Sequence, residues 1–223
     1  MKVAAIVPAL NEEKNIGNVL KTLLGSEEID EVVVVDGASK DATAKISRDM
    51  GAKVIIFPKK SKGGAMREGV KSTKADIIVF CDADLIGLSS EHISSLIQPI
   101  LRNEAAMSVG IRERHGWGKI AEFFIKIDPL FAIAGERSMK RQIFEAIPED
   151  FIKGFMVETA LNYYCHTNNL PVSYVKLKGL SMTIKEKKWG LILGFMARLK
   201  MFWELLKIRI LIFRRKNEFK NIS

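Results

Sequence analysis

The chain has 223 residues, the length of one large domain or of one domain with an appendage. Hydrophobic residues make up 48% of it and charged residues 27%, a composition that excludes a disordered chain. Its two cysteines, Cys81 and Cys165, exclude a disulfide framework and a cysteine-rich zinc site. We expect no signal peptide, because residues 2–7 already have the pattern of a short strand.

The positive charge is concentrated at one end of the chain. The formal net charge is +9, and residues 185–223 hold 11 Lys and Arg against 3 Asp and Glu, a net of +8 that leaves +1 for the remainder. A nearly neutral body argues against nucleic-acid binding. A basic, apolar tail favours contact with an anionic membrane surface or with a partner. We therefore predict a main domain over residues 1–184 and a helical tail over 185–223.

Strands and helices alternate in the first part of the chain. The pattern predicts strands at 2–7, 31–35, 53–57 and 77–81, and helices at 11–24, 41–50 and from 65 onward. Three of these strands are continuous apolar runs, which is typical of strands covered on both faces in a parallel sheet. The expected fold class is α/β, with a mostly parallel central sheet and helices on both faces.

The second part of the chain continues this pattern less regularly. Helices are predicted at 90–102, 119–131 and 155–166, and strands at 106–111 and 172–177. Residues 112–118 are predicted to form a loop, and a further segment begins at Gly135.

Polar side chains follow each of the first four strands. They are Asn11 and Glu12, Asp36 and Ser39, Lys62, and Asp82 and Asp84. Because α/β sheets bind ligands beyond the carboxyl ends of their strands, we expect these side chains to share one site.

The Asp82-Ala83-Asp84 sequence predicts a metal site. Two carboxylates at this spacing can share one hard divalent cation, and oxygen ligands favour Mg²⁺ or Mn²⁺. Such a cation would neutralise a diphosphate leaving group.

The Lys62-Gly63-Gly64 sequence is predicted to be a phosphate-contacting loop, since glycines let backbone N–H groups approach an anion. The alternative is a solvated basic turn, because Lys59 and Lys60 lie beside it. Neither a P-loop motif nor the dinucleotide-binding glycine motif is present.

Taken together, these segments resemble the family 2 nucleotide-sugar glycosyltransferases of GT-A fold. The resemblance rests on the ordered motifs at residues 7–12, 35–41, 62–65 and 82–85, and it covers roughly residues 1–184. Residues 134–136 and 154–158 are most similar to two groups, the polyprenyl-phosphate sugar transferases and the glucosyl-3-phosphoglycerate synthases.

The resemblance implies an NDP-sugar donor, carrying UDP or GDP, and assigns donor-binding roles along the chain. The nucleoside pocket would be lined by Pro8, Ala9, Leu10 and Glu12. Asp36 would accept a hydrogen bond from the base. Ser39, Lys62, Gly63 and Ala83 would lie near the base or the phosphates. Asp82 would contact the ribose or the metal, and Asp84 would bind the metal.

The resemblance also implies acceptor and catalytic residues. Gly135 and Glu136 would face the sugar or the acceptor, and Arg112 and Arg114 would lie on a loop that closes over the substrate. Glu158 is the candidate catalytic carboxylate, because an alcohol acceptor must lose its proton as it attacks the anomeric carbon. Alternatively, Glu158 orients the acceptor or the metal, or caps its helix.

The histidines depart from the family pattern. Some relatives place a metal-binding histidine after the last strand, whereas residues 179–185 contain none. We interpret His92 and His166 as ordinary surface or helix residues, and His115 as a possible substrate contact.

The expected acceptor of the sugar follows from the properties of the tail, residues 185–223. Its longest uncharged run, residues 189–197, has nine residues, whereas a spanning helix needs about 20. We therefore expect a cytoplasmic protein attached peripherally to the membrane, with a lipid phosphate such as polyprenyl phosphate as acceptor. The alternatives are a small phosphorylated acceptor, with the tail packed on its own domain or on a second subunit, and a non-catalytic membrane-associated binding protein. A nucleotidyltransferase is disfavoured because no glycine-rich basic signature follows the first strand.

Overall fold

The computed structural model describes residues 1–112, 134–153, 156–182, 207, 210–212 and 214–220. The strands in these ranges are β1 Val3–Ala9, β2 Glu31–Asp36, β3 Lys53–Ile56, β4 Ile77–Phe80, β5 Leu85–Ile86, β6 Met107–Arg112, β7 Arg137–Lys140, β8 Val172–Leu177 and β9 Ser181–Met182. The α-helices are α1 Ile16–Leu24, α2 Thr43–Asp49, α3 Lys62–Lys71, α4 Ser90–Leu101, α5 Arg141–Glu145 and α6 Met156–Thr167. Short 3-10 helices occupy Glu149–Phe151 and Lys216–Phe219.

Within these ranges, one seven-stranded sheet has the order β3-β2-β1-β4-β7-β6-β8. The pairs formed by β1 to β4 are parallel, as is the β6–β8 pair. Strand β7 runs antiparallel to both of its neighbours, β4 and β6. The predicted mostly parallel α/β sheet is confirmed, whereas the sequence did not predict β7, α5 or the small β5–β9 pair.

The alternation of side chains along the strands produces two cores, one on each face of the sheet. On one face, Ile6, Val33 and Phe80 pack with residues of α3, α5 and α6. On the other face, Ala5, Val34 and residues of α1 and α4 form the second core. This double coverage explains why the central strands are continuous apolar runs.

Two predicted boundaries differ from the structure for local reasons. Helix α1 begins at Ile16 instead of residue 11, because Asn11 has a left-handed φ of 55° that cannot belong to a right-handed helix. Strand β1 continues through Pro8, although we expected this residue to stop it. The carbonyl of Ile6 accepts from Cys81 on the β4 side, and Pro8 faces that same side, where β4 has already ended.

The predicted phosphate loop at Lys62-Gly63-Gly64 is in fact the first turn of α3. Ser61 caps this helix, since its hydroxyl accepts a hydrogen bond from the Gly64 N–H at 3.2 Å. Two adjacent glycines concealed the helix start, because glycine has low helix propensity.

The described part of the tail packs against the main domain. Ile212 and Phe219 are fully buried in the same core as α6. The predicted helix at 119–131 and the loop residues Arg114 and His115 lie outside the described residues, as does most of the predicted tail helix. Among the residues that are described, no helix is both long and apolar enough to cross a membrane.

Candidate active site at the carboxyl edge of the sheet

A cavity of about 340 Å³ opens beyond the carboxyl ends of β1 to β4. Eight residues that the sequence singled out contribute to its lining, namely Pro8, Ala9, Leu10, Glu12, Lys62, Asp82, Ala83 and Asp84. Strand order explains this convergence, because parallel neighbours end at the same edge. Cavity-lining residues that the sequence analysis did not propose as site residues include Gly37, Lys59, Lys60 and Met182.

The loops after β1 and β2 are braced against each other. Asp36, which is buried, accepts hydrogen bonds from the backbone N–H and the hydroxyl of Ser39. The same hydroxyl accepts from the Asn11 N–H at 2.8 Å. Ala38 has a φ of 60°, which costs an L-residue about 1–2 kcal/mol. Asp36 and Ser39 therefore hold the shape of the pocket wall without being part of the cavity lining itself.

Glu12 is held by a second set of contacts. Its backbone N–H donates to the Thr43 hydroxyl at 2.8 Å, and its carboxylate accepts from the Asn15 amide at 3.0 Å. Glu12 lines the cavity, although only 7% of the residue is exposed to solvent. These contacts preorganise the β1 loop for a ligand.

A cluster of charges extends from Lys62 and Asp82 in the cavity lining to Glu158, which is not a lining residue. The Lys62 ammonium is 2.6 Å from Asp82 Oδ1 and 3.7 Å from Glu158 Oε1. Burial lowers the pKa of Lys62, but the charges of Asp82 and Glu158 outweigh it and raise that pKa above its ordinary value. Lys62 is therefore a fixed positive charge between two carboxylates.

Glu158 lies in the first turn of α6, and 4% of it is exposed. Its Oε2 atom is buried and has no hydrogen-bond partner among the described residues. Such a group is costly in a core and is common where a ligand is bound. The structure thus brings Glu158 next to Lys62 and Asp82, although 76 residues separate Glu158 from Asp82 in the chain.

Glu136 and Arg112 form an ion pair beside this cluster. The Arg112 Nε atom is 3.3 Å from Glu136 Oε2, and Glu136 is fully buried. Burial raises the pKa of Glu136 to about 7, with the charge of Asp82 adding to the rise and Arg112 and Lys62 opposing it.

Gly135 lies directly against Asp82. A Cβ atom at Gly135 would be 2.5 Å from Asp82 Oδ2 and 2.9 Å from Asp82 Cγ. Only a glycine leaves room for the carboxylate in its observed position. Gly135 was predicted to face the sugar or the acceptor, and the structure places it at the carboxylate predicted to meet the ribose or the metal.

Arg137 is a fully buried residue that the sequence analysis did not single out as functional. It donates to the Ala134 carbonyl at 2.7 Å and, at 3.4 Å, to the Asn162 side chain. Burial lowers its pKa, against the charge of Glu158. Arg137 ties the residues before β7 to α6, and no local pattern signals such a buried arginine.

The residues present fit a hard divalent cation. Asp82 and Asp84 both line the cavity, and carboxylate oxygens are the groups that such a cation prefers. Asp82 already pairs with a positive charge, the Lys62 ammonium, at its Oδ1 atom. Within the described ranges, no group of three or more His, Cys, Asp or Glu side chains could hold a metal.

Comparison with solved structures supports the assignment of the fold. The chain aligns with glucosyl-3-phosphoglycerate synthase from Mycobacterium tuberculosis in complex with phosphoglyceric acid at a TM-score of 0.74 and 25% identity, covering 93% of this chain and 79% of that one. The same enzyme bound to Mn²⁺, UDP-glucose and phosphoglyceric acid aligns with a TM-score of 0.71 at 25% identity, over 88% of this chain and 76% of that one. The predicted GT-A fold is confirmed by these neighbours.

The sequence relatives include a glucosyl-3-phosphoglycerate synthase and another glycosyltransferase. Glucosyl-3-phosphoglycerate synthase of Mycolicibacterium smegmatis is 29% identical over 71% of this chain and 62% of its own length. The 4,4'-diaponeurosporenoate glycosyltransferase of Staphylococcus haemolyticus is 33% identical over 61% of this chain and 38% of its own. The chain thus spans about three fifths of the length of the curated synthase it matches. The family model described as glycosyl transferase family 2 matches residues 4–161, so the chain belongs to glycosyl transferase family 2.

Proposed function

We propose that this chain transfers a hexose from a UDP-sugar to a small phosphorylated acceptor, in the presence of Mg²⁺ or Mn²⁺. The observation that carries this proposal is the placement of Lys62, Asp82 and Asp84 on one cavity at the carboxyl edge of the sheet. The solved relatives named above bind UDP-glucose, Mn²⁺ and phosphoglyceric acid, which supports this choice of donor and acceptor class.

Each donor-binding residue has a physical role in the proposal. Pro8, Leu10 and Gly37 form the apolar wall for the nucleoside. Lys62 exchanges its contact with Asp82 for the diphosphate, aided by the N-terminus of α3, where free N–H groups attract anions. Asp82 and Asp84 would hold the cation. A cation bound there supplies electrostatic stabilisation of the departing diphosphate.

Glu158 is the proposed partner of the acceptor hydroxyl. Its unpartnered Oε2 can accept that hydrogen bond and take the proton as the new glycosidic bond forms. Arg137 donates to the Glu158 carbonyl at 3.5 Å and to the Asn162 side chain at 3.4 Å, so it holds α6 in place and the Glu158 carboxylate is oriented before the substrate arrives. Arg112, paired with Glu136, places a cation beside the acceptor side of the site.

This proposal differs from the expectation drawn from the sequence in the identity of the acceptor. A lipid phosphate was expected because of the basic tail. The similarity to glucosyl-3-phosphoglycerate synthases instead favours a small phosphorylated acceptor. The burial of Ile212 and Phe219 also supports a tail that is docked on its own domain. A lipid phosphate remains the second candidate, because the net +8 of residues 185–223 would attract anionic lipid.

The test is a transfer assay with UDP-glucose and Mn²⁺, in which UDP release and glycosylated product are both measured. One arm contains 3-phosphoglycerate, and the other contains polyprenyl phosphate in anionic vesicles. Product only in the first arm supports the proposal, and product only in the second supports the lipid acceptor. GDP-mannose in place of UDP-glucose checks the choice of nucleotide. The proposal is wrong if neither donor yields product in either arm.

A further inference from the structure

The end of the described chain is anchored in the main domain. Phe219 is fully buried, and its ring makes edge contacts with Phe151, at 4.9 Å between centroids, and with Tyr163, at 5.2 Å. The Phe219 carbonyl accepts a hydrogen bond from the Asn168 amide at 2.7 Å. We call residues 214–220 the C-terminal anchor.

Arg215 adds a polar contact to the anchor. Its guanidinium is 3.0 Å from Asp150 and lies over the Phe151 ring, 5.1 Å from the centroid. The same guanidinium pairs with Glu218 at 2.5 Å. Arg215 and Phe219 thus both contact the same segment, residues 149–153.

The same segment also touches α3, the helix that begins with Lys62. Glu149 pairs with Arg67 of α3. A Cβ atom at Gly63 would be 2.6 Å from the Ile152 carbonyl carbon and 3.0 Å from the Lys153 nitrogen, so the two backbones are in close contact. Residues 149–153 therefore contact both the anchor and α3.

The anchor also touches the helix that carries Glu158. Tyr163 and Asn168, which contact Phe219, lie within and just after α6. Lys62 and Glu158, 3.7 Å apart, each lie at the start of a helix whose position depends on packing that includes the anchor. Well-packed interiors transmit displacements of this kind, because they have few voids to absorb them.

We propose that Phe219 and Arg215 are positioning residues, which set the distance between Lys62 and Glu158 through residues 149–153 and α6. The inference rests on the proposed function in one respect, namely that Lys62 and Glu158 take part in transfer. It assigns the C-terminal anchor a role in the geometry of the site, beyond its contribution to folding.

The experiment compares Phe219→Ala with Leu23→Ala in the full chain. Leu23 is equally buried, but it belongs to the core on the other face of the sheet, so its removal is a matched loss of packing. Hydrogen exchange is measured first, because it does not depend on knowing the acceptor. Phe219→Ala should speed exchange of the hydrogen-bonded amides of residues 65–71 in α3 and 160–167 in α6, and Leu23→Ala should not. Equal exchange of these residues in the two variants overturns the inference.

Kinetics then test the consequence for transfer. Phe219→Ala should lower kcat about tenfold or more and raise the KM for the donor by a smaller factor, because a displaced Lys62 weakens the contact with the diphosphate, whereas Pro8, Leu10 and Gly37 of the nucleoside wall belong to β1 and the loops after β1 and β2. Leu23→Ala should lower the melting temperature without this loss of kcat. If Phe219→Ala fails to fold, Phe219→Leu and Arg215→Gln replace it in both measurements, with the same expected direction. A wild-type chain that lacks transfer refutes the proposed function alone, since the exchange result still decides the coupling.

Discussion

Replacing Gly135 by alanine would push directly on the Asp82 side chain, so it tests the contribution of one carboxylate position to the site. The three atoms nearest to the new Cβ all belong to the Asp82 side chain, and Asp82 Oδ2 is the nearest, at 2.5 Å. Ordinary van der Waals contact begins at 3.4 Å, so this oxygen must retreat by about 0.9 Å. Because the three nearest atoms belong to a side chain and Gly135 does not have a left-handed φ, we expect the fold to accommodate the methyl group.

The displacement is large compared with the 2.6 Å ion pair that Asp82 makes with Lys62. A misplacement of about 1 Å at a reacting centre can cost about 10²-fold in rate, so we expect a loss of that order in transfer. Calorimetric titration with Mn²⁺ and UDP should show weakened binding, while thermal melting shows a nearly unchanged midpoint.

Gly17→Ala is the matched control for this experiment. Its Cβ would have ordinary contacts, with Met50 at 3.8 Å and Ile46 at 3.9 Å, and α1 should gain about 0.5–1 kcal/mol from the better helix former. If Gly135→Ala binds Mn²⁺ and UDP as Gly17→Ala does and transfers sugar at the same rate, the placement of Asp82 in the reacting centre is wrong.

Three further changes test individual charges. Asp84→Ala should abolish transfer and leave the melting midpoint unchanged, since it removes a metal ligand, and wild-type activity that survives excess EDTA would contradict the metal role. Lys62→Met should weaken UDP binding by about 1.5–3 kcal/mol, the range for a hydrogen bond to a charged group, and unchanged calorimetric affinity would remove Lys62 from the phosphate site. Glu136 binds a proton more tightly in the folded chain, with a pKa raised from 4.5 to about 7, so folding stability should fall as pH rises between these values. The loss should approach ~3 kcal/mol, and urea unfolding in EDTA at pH 5 and pH 8 should show it in the wild type and a reduced slope in Glu136→Gln.

Much of the donor side of the site was predictable from local pattern. Continuous apolar strands indicate a parallel sheet, and a parallel sheet brings the residues after its strands to one edge. Pro8, Glu12, Lys62, Asp82 and Asp84 could therefore be assigned to one cavity before any coordinates were known, and the structure places them there. The boundaries at Asn11 and Pro8 were wrong because they depend on backbone conformation and on where a neighbouring strand ends.

The sequence by itself thus determined the fold class and the carboxyl edge at which ligands are expected, because both follow from hydrophobic period and strand order. Only the tertiary structure decided which distant residues meet there. Gly135 against Asp82, Arg112 beside Glu136, and Phe219 between Phe151 and Tyr163 join parts of the chain that no local pattern connects. Antiparallel strand β7 causes the first of these contacts, since it is inserted beside β4 and brings residues 134–136 to the end of the strand that precedes Asp82. These contacts join residues that are far apart in the chain. Their free energy depends on how the whole core packs, and neighbouring residues in the sequence do not determine it.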